Sequence, residues 1–422
     1  YFKYLKNNNK NKLAFSLQLF PGGKSMIKID YKNEIFASEL RSSMNGRGVD
    51  CFLSNDSSCA PVDAFDDVYV ACVSPDFQFS NNGKFVSFLK EHKFKKSVLA
   101  IFSAPEFKVE YFLNGAVSLF HLPIDLDFQG PEKDFYLHYV IEQIVQNHPN
   151  LPAKDEKSFK LAALIKRIAN TDATVLINGP TGTGKEVVSN LIHHFSNRSE
   201  KAFVAVNCAA IPDQMLESML FGHEKGSFTG AVQPNKGLLR AADEGTVLLD
   251  EISEMPMNLQ AKLLRVIQEK KVMPIGSSTE VSVDVRIVAT TNRDMAEEVK
   301  AGRFREDLYY RLNVFPLNTL RLSDRKFDVP VIVSNMLFNL DKDSADRVKI
   351  SGQAFEKLME YSWPGNVREL YNVIQRAKIL CADNLICVSD LIFDDCEKNK
   401  STNTAEALAA KFRTTDSNEM VL

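Results

Sequence analysis

The chain has 422 residues, which at about 100 to 200 residues per domain means two or three domains. With 45% hydrophobic and 25% charged residues, 19 Gly and 16 Pro, it is not described by disorder, a collagen-like repeat or a membrane bundle, and a net charge of -3 gives no overall basic field, so any nucleic-acid contact has to be local. Seven cysteines with no CxxC and no Cys/His grouping argue against a zinc site or a disulfide framework and fit a reducing cytoplasm.

At the N-terminus, a basic stretch over residues 1–12 and an apolar run over 13–20 look superficially like a signal peptide, but the run is short and no A-x-A-like site follows. Met26 is expected to be the true start, with 1–25 an upstream extension; the alternative is a fragment of a longer translated N-terminus. No apolar run approaches the roughly 18 to 20 residues of a spanning helix, so no membrane segment is expected. Over residues 26–147 short apolar strands (68–73, 97–102, 117–122) alternate with helices expected near 85–91 and 107–113, a βαβ rhythm that implies a parallel sheet. A linker over 148–157 opens with His148-Pro149-Asn150-Leu151-Pro152. An α/β region over 158–320 and a helical region over 321–395 follow, then a polar tail over 396–422.

The first region resembles a response-regulator receiver domain in its strand order and in Ser103-Ala104 after a strand. The residues of phosphotransfer are missing. Where a phosphoacceptor Asp should end the third strand stands Val73-Ser74-Pro75-Asp76, Leu122-Pro123 replaces a Lys-Pro pair, and no acidic pair lies near 28–33. The expectation is a degenerate receiver, with Asp76 either a displaced acceptor or a solvated loop carboxylate.

The chemistry lies in the second region. A buried strand over 173–177, the loop Gly179-Pro180-Thr181-Gly182-Thr183-Gly184-Lys185 and an amphipathic helix over 186–195 give GxxxxGK in the strand-loop-helix context that this phosphate-binding motif requires. Its glycines let backbone N–H groups close around phosphate oxygens, the helix N-terminus adds positive potential, and Lys185 reaches the β and γ phosphates. Glu186 stands where a Ser or Thr usually holds magnesium. A second strand, Val247-Leu248-Leu249-Asp250-Glu251, ends in two carboxylates: Asp250 is placed to hold the Mg2+ shell and Glu251 to polarise the attacking water. A third strand over 285–289 ends in Thr290-Thr291-Asn292, a polar tip suited to sensing a γ-phosphate. Arg305 and Arg311 lie nearly two helical turns apart, so that both can face one neighbour; without context they read as a solvated helix face.

The context comes from Leu220-Phe221-Gly222-His223-Glu224-Lys225 followed by Gly226-Ser227-Phe228-Thr229-Gly230-Ala231, which resembles the GAFTGA loop of the bacterial enhancer-binding proteins, AAA+ ATPases that activate sigma-54 RNA polymerase. Glu186, Val206-Asn207-Cys208-Ala209-Ala210, Asp250-Glu251-Ile252, the segment 304–314 and Trp363-Pro364-Gly365-Asn366-Val367-Arg368-Glu369-Leu370 carry the same resemblance, over about residues 160–393. The flagellar-regulator branch is the most similar. The resemblance implies an α/β fold: a degenerate receiver-like domain, an AAA+ P-loop ATPase core and a C-terminal helical lid.

It also implies roles. ATP is the substrate and Mg2+ its partner ion; Asp250 and Glu251 form the Walker B pair; Asn207 is the switch that holds Glu251 away from water; Asn292 is the first sensor. Arg305 and Arg311 are fingers presented to a neighbouring subunit's ATP, Arg368 is the second sensor, and Phe228 and Thr229 are the loop tip that touches the sigma factor. The implied partner is the sigma-54 RNA polymerase holoenzyme, met by a homo-oligomeric ring, a hexamer by resemblance. Three departures stand out: Pro180 replaces a Glu and has no N–H to donate, residues 319–325 lack a Pro-Pro and carry Ser323, and Ser227 replaces an Ala.

The family usually ends in a helix-turn-helix that reads enhancer DNA. Here a polar linker over 394–404 and at most a short helix over 405–413 follow the helical region, so either the chain is cut before such a domain or it works without DNA. His193, His194 and His223 have no metal-ligand spacing and read as structural or surface residues. The function expected is an ATP-driven remodeller of sigma-54 holoenzyme. An ATP-sensing adaptor without productive turnover is the rival; an intact Asp250-Glu251 pair with both arginines favours the enzyme.

Overall fold

The computed structural model describes residues 27–30, 32–53, 68–79, 83–92, 94–146, 149–227, 233–341 and 347–393. In the N-terminal unit the strands are β1 (Ile27–Ile29), β2 (Phe52–Leu53), β3 (Val68–Cys72), β4 (Lys96–Ile101), β5 (Lys108–Phe112) and β6 (Val117–His121), and the helices α1 (Glu34–Gly46), α2 (Gly83–Glu91) and α3 (Pro131–Val145). The sheet order is β2-β1-β3-β4-β6-β5. Its first five members are parallel, in the doubly wound order of flavodoxin-like and receiver folds.

One expected helix is a strand. Residues 107–113 read as helix, but Lys108–Phe112 form β5, antiparallel to β6 in the register Phe112↔Val117. The reason is the turn that follows: Leu113, Asn114 and Gly115 all have positive φ, and the Gly115 N–H donates to the Phe112 carbonyl at 3.1 Å. An Asn-Gly turn closes a hairpin more readily than the short run before it nucleates a helix.

The central unit holds α4 (Glu156–Ala169), β7 (Val175–Asn178), α5 (Lys185–His194), β8 (Phe203–Asn207), α6 (Asp213–Phe221), α7 (Leu238–Ala241), β9 (Thr246–Asp250) and α8 (Met257–Glu269). A two-stranded ribbon of β10 (Lys271–Val272) and β11 (Val281–Ser282) leads to β12 (Arg286–Thr291), α9 (Met295–Lys300), α10 (Glu306–Leu312) and β13 (Phe315–Asn318). The parallel sheet runs β13-β7-β12-β9-β8, which brings the C-terminal ends of β7, β9 and β12 side by side. The lid follows as α11 (Asp328–Leu340), α12 (Gly352–Glu360) and α13 (Asn366–Leu380), with β14 (Lys349–Ile350) and β15 (Leu385–Ile386) as a short parallel pair.

The largest core does not respect these divisions. It runs from Ile27, Phe36 and Phe120 of the N-terminal unit through α3 into Val333, Phe338 and Phe355 of the lid. Along α3 every residue from Lys133 to Val145 except Asp134 is buried, with Phe135 set 5.4 Å from Phe355 and Tyr139 set 5.3 Å from Phe338 between ring centroids. Asp328 of α11 is buried where the linker meets the lid, and its carboxylate accepts the N–H groups of Lys154 and Asp155 at 2.7 Å each. The residues expected as linker are thus packed: Leu151 and Ala153 are buried, and Glu156 already starts α4.

A shared core predicts shared stability. Phe135→Ala should cost about 3 to 5 kcal/mol, and calorimetry should show the N-terminal unit and the lid losing stability in one transition. A lid transition that stayed at its original temperature would show that the two are independent.

Candidate nucleotide site

The site is built on the end of β7. The Gly179 N–H donates to the Thr291 carbonyl at 3.2 Å, and the loop to Gly184 then curls back over the start of α5. Gly182 and Gly184 have φ of +77° and +98°, values that an L side chain adopts only with strain. Lys185 is buried at the loop's mouth: Nζ donates to the carbonyls of Gly179 at 2.9 Å and Pro180 at 3.3 Å, and lies 3.7 Å from Glu251 Oε1. Pro180 therefore supplies an acceptor, and its carbonyl also takes the Thr183 hydroxyl at 2.8 Å. Thr181 is bonded through its carbonyl to the Asn366 amide at 3.0 Å. Glu186 occupies the first turn of α5.

At the end of β9 both Asp250 oxygens are engaged: the Thr290 hydroxyl donates to Oδ1 at 2.5 Å and the Asn207 amide to Oδ2 at 2.9 Å. Glu251 sits in the left-handed region at φ 52°, its N–H donating to Thr290 Oγ1 and its Oε2 accepting the Asn292 N–H at 3.3 Å. Strain of this kind costs about 1 to 3 kcal/mol and persists where surrounding structure over-determines it. The Asn292 amide reaches Thr181 Oγ1 at 3.3 Å, so the tip of β12 does meet the loop. The Asn207 amide bonds Asp250 here, because Asn207 ends β8 directly opposite Asp250 in the sheet register.

Arg368 lies in the first turn of α13, and a Cβ on Gly182 would meet the Arg368 Cβ at 3.1 Å and the Gly365 carbonyl at 2.4 Å. The Val367 N–H donates to the Gly182 carbonyl at 2.9 Å. Two residues on the far side of the loop carry weight that sequence reasoning missed. The Arg325 guanidinium, buried, donates to the Thr183 carbonyl at 2.8 Å, and Thr319, inside the departure from the family pattern, shares a 2.7 Å hydrogen bond with the Thr183 hydroxyl. Beside the loop opens a cavity of about 440 Å3 lined by Leu151, Val187, Val188, Met336, Val367 and Tyr371 among others. An apolar slot next to a phosphate loop fits a nucleoside.

Of the arginines expected as fingers, only Arg311 lies within α10. Arg305 is the N-cap residue of α10, and its guanidinium forks onto Asp307 at 2.7 and 3.0 Å; Arg311 is exposed in the last turn. The residues on either side of the GAFTGA-like segment are stapled together. His223 and Asn235 exchange backbone hydrogen bonds at 2.9 Å, and the His223 ring bonds Ser218 at 2.7 Å and the Gln233 carbonyl at 2.9 Å. Gly226 and Ser227 are described, whereas Phe228, Thr229, Gly230 and Ala231 lie outside the described residues. In the N-terminal unit Asp76 is exposed in the turn after β3. Among the described residues no group of three or more His, Cys, Asp or Glu side chains could hold a metal, and no helix is long and apolar enough to cross a membrane.

A parallel sheet with a glycine phosphate loop on its central strand, paired acids on the neighbouring strand and a helical lid pressed on the loop defines an AAA+ P-loop NTPase. Residues 151–318 match the sigma-54 interaction domain family and residues 323–408 the AAA+ ATPase lid domain family. Over these residues the chain carries the domain pair of the sigma-54-interacting AAA+ proteins. It is 50% identical over 260 residues to the response regulator protein FleR of Pseudomonas aeruginosa, covering 61% of this chain and 55% of that protein, and 45% identical over 261 residues to the Nif-specific regulatory protein of Klebsiella pneumoniae, covering 62% and 49%. The chain thus spans about half the length of these curated relatives. The crystal structure of NtrX from Brucella abortus in complex with ADP shares the fold at a TM-score of 0.56 and 24% identity, covering 93% of this chain and 90% of that one.

The carboxylates make themselves felt on Cys208, buried directly after β8. Burial first, then the charges of Asp250 and Glu251, push its thiol up to about 12. At pH 8 the side chain is therefore a thiol and not the reactive thiolate. Iodoacetamide at pH 8 should leave Cys208 unmodified in the folded chain and alkylate it after unfolding; rapid labelling of the folded chain would contradict this environment.

Proposed function

We propose that the chain hydrolyses ATP in an oligomeric ring and uses the cycle to remodel sigma-54 RNA polymerase holoenzyme towards the open complex, in the cytoplasm. The observation that carries the chemistry is the meeting of Lys185, Asp250, Glu251 and Asn292 at the C-terminal ends of the central strands: Lys185 lies 3.7 Å from Glu251, the Asn292 N–H donates to Glu251 and its amide reaches Thr181 of the loop, and Asp250 precedes Glu251 at the end of β9. The family match over residues 151–318 supports the choice of partner.

In this reading Lys185 leaves its loop carbonyls to bind phosphate oxygens, Gly182 and Gly184 give the backbone its cradle, and the cavity beside α5 receives the nucleoside. Mg2+, held at Asp250, would neutralise charge on the phosphates. Glu251 acts as base towards the attacking water, oriented by the Asn292 N–H, and Arg368 follows the nucleotide from the lid. Asn207 enters through Asp250: moving the amide frees one carboxylate oxygen, which ties the state of β8 to the acidic pair. The segment 226–231 is proposed to contact the sigma factor, on the strength of its resemblance to the GAFTGA loop.

Lys185→Ala should abolish ATP binding, while Glu251→Gln keeps binding and stops hydrolysis; Thr229→Ala should keep ATPase activity yet lose open-complex formation at a sigma-54 promoter. Substantial turnover by Glu251→Gln, or full activation by Thr229→Ala, would refute the corresponding role.

Arg305 and Arg311 are proposed to act on the ATP of a neighbouring subunit in a ring, a hexamer by family resemblance. A finger is worth about 10³ to 10⁵ in rate. Specific activity should therefore rise with protein concentration, and mixtures of Lys185→Ala with Arg311→Ala chains should recover turnover at interfaces where an intact loop meets an intact finger. Mixtures shown to co-assemble but without any recovery would exclude action in trans.

A further inference from the structure

Two polar walls of the cavity beside the phosphate loop, Asn150 of the linker and Asn335 of α11, are tied to the N-terminal unit through one buried cluster. Arg47, at the C-terminal end of α1, is 1% exposed and uses its guanidinium on three sides. Nε donates to Asn150 Oδ1 at 2.9 Å, Nη1 to His138 Nδ1 at 3.1 Å, and Nη2 to Glu142 Oε1. The other Glu142 oxygen accepts the Asn335 amide at 2.8 Å. The Arg47 carbonyl takes the N–H of Leu151, a third lining residue, at 3.3 Å.

The cluster has little freedom to rearrange. Burial first, then the Arg47 charge, holds His138 well below the usual histidine range, so its neutral ring accepts from Arg47 and the charge of Arg47 is answered by Glu142. Beside it, a Cβ on Gly46 would meet the Phe159 ring of α4 at 2.3 Å, so the end of α1 is pressed onto the central unit. Each Arg47 guanidinium nitrogen and each Glu142 carboxylate oxygen has a partner, and a buried ion pair engaged in this way holds those partners in place.

We propose that Arg47 and Glu142 are positioning residues of the nucleotide pocket, through which the N-terminal unit sets nucleotide affinity by holding Asn150 and Asn335. This rests on the nucleotide reading of the site. By linkage, nucleotide in the pocket must in return strengthen the docking of the N-terminal unit. The device needs no phosphorylation.

The test uses the full chain. Arg47→Met/Glu142→Met removes both charges together and leaves hydrocarbon of similar length, so that neither charge is buried alone. The paired variant, its fold checked by circular dichroism and melting, should bind ATP and ADP about three- to tenfold more weakly by equilibrium titration, the scale of one or two lost hydrogen bonds. The loss should fall on KM for ATP, with kcat carrying the smaller share. Asn150→Ala and Asn335→Ala should weaken binding in the wild-type background and add little in the paired variant. Wild-type affinity in the folded paired variant, or full additivity of the asparagine changes, would overturn the proposal. If the paired variant does not fold, hydrogen exchange on the wild-type chain decides: saturating ADP should raise protection at the end of α1 and in α3, and no change there would overturn it. Failure of the wild-type chain to bind ATP or ADP is a separate outcome, which removes the nucleotide reading itself.

Discussion

The Gly182 carbonyl takes its hydrogen bond from the lid, at the Val367 N–H, and the Gly365 carbonyl lies so close that no side chain fits between them. A phosphate loop is usually described by what it presents to the ligand. Here its back is equally committed, with the Asn366 amide on the Thr181 carbonyl and Arg325 on the Thr183 carbonyl. Each bond is ordinary, about 0.5 to 1.5 kcal/mol net, or about 1.5 to 3 where a charge takes part. Together they make the loop's conformation conditional on the lid. The lid in turn shares its core with α3, so the contact at Gly182 stands at one end of a continuous packed path that reaches the N-terminal sheet.

The turn that makes this contact is itself held from both sides. Trp363 is buried with positive φ, its indole N–H donating to the Leu358 carbonyl at 2.8 Å, and the Asn366 N–H returns to the Trp363 carbonyl at 2.8 Å. The Asn366 side chain then faces two ways, its amide to Thr181 and its oxygen to the Leu322 N–H at 2.9 Å. One asparagine thus ties together the phosphate loop, the start of the lid and the start of α13.

What could be read from the sequence was whatever depends on neighbours in the chain. The strand, glycine loop and helix around Lys185 are local, and so are the acids closing β9; the structure has them where the pattern puts them. The hairpin at β5 was also local in principle, since Asn114-Gly115 is a turn signal, but the short apolar run before it fits either period. Long-range facts were out of reach. No element was read over residues 131–145, and its apolar residues on nearly every side acquire meaning only once a lid covers the face that a free domain would leave wet. Arg325 and Thr319 fell in a segment that reads as a departure from the family, although the fold uses them against Thr183. That the Asn207 amide meets Asp250 follows from sheet register, which the sequence does not display.

The charges around the loop point outward. Two carboxylates close β9, and their field is strong enough to help raise the Cys208 thiol to about 12. Against them, among the described residues, Lys185 is the cation that reaches Glu251, and Arg325 spends its guanidinium on the Thr183 carbonyl and on Asp328 at 3.7 Å. A polyphosphate brought here adds negative charge, and hydrolysis spreads more of it over the transferred group. Preorganised positive charge is what lowers such a barrier. Of the arginines that match the family's fingers, Arg305 pairs with Asp307 and Arg311 is exposed in the last turn of α10, on a surface where Tyr310 and Val314 are also exposed. An exposed aromatic beside an exposed arginine is the composition of a protein interface. In the proposed ring, this is the surface that would have to meet a second copy.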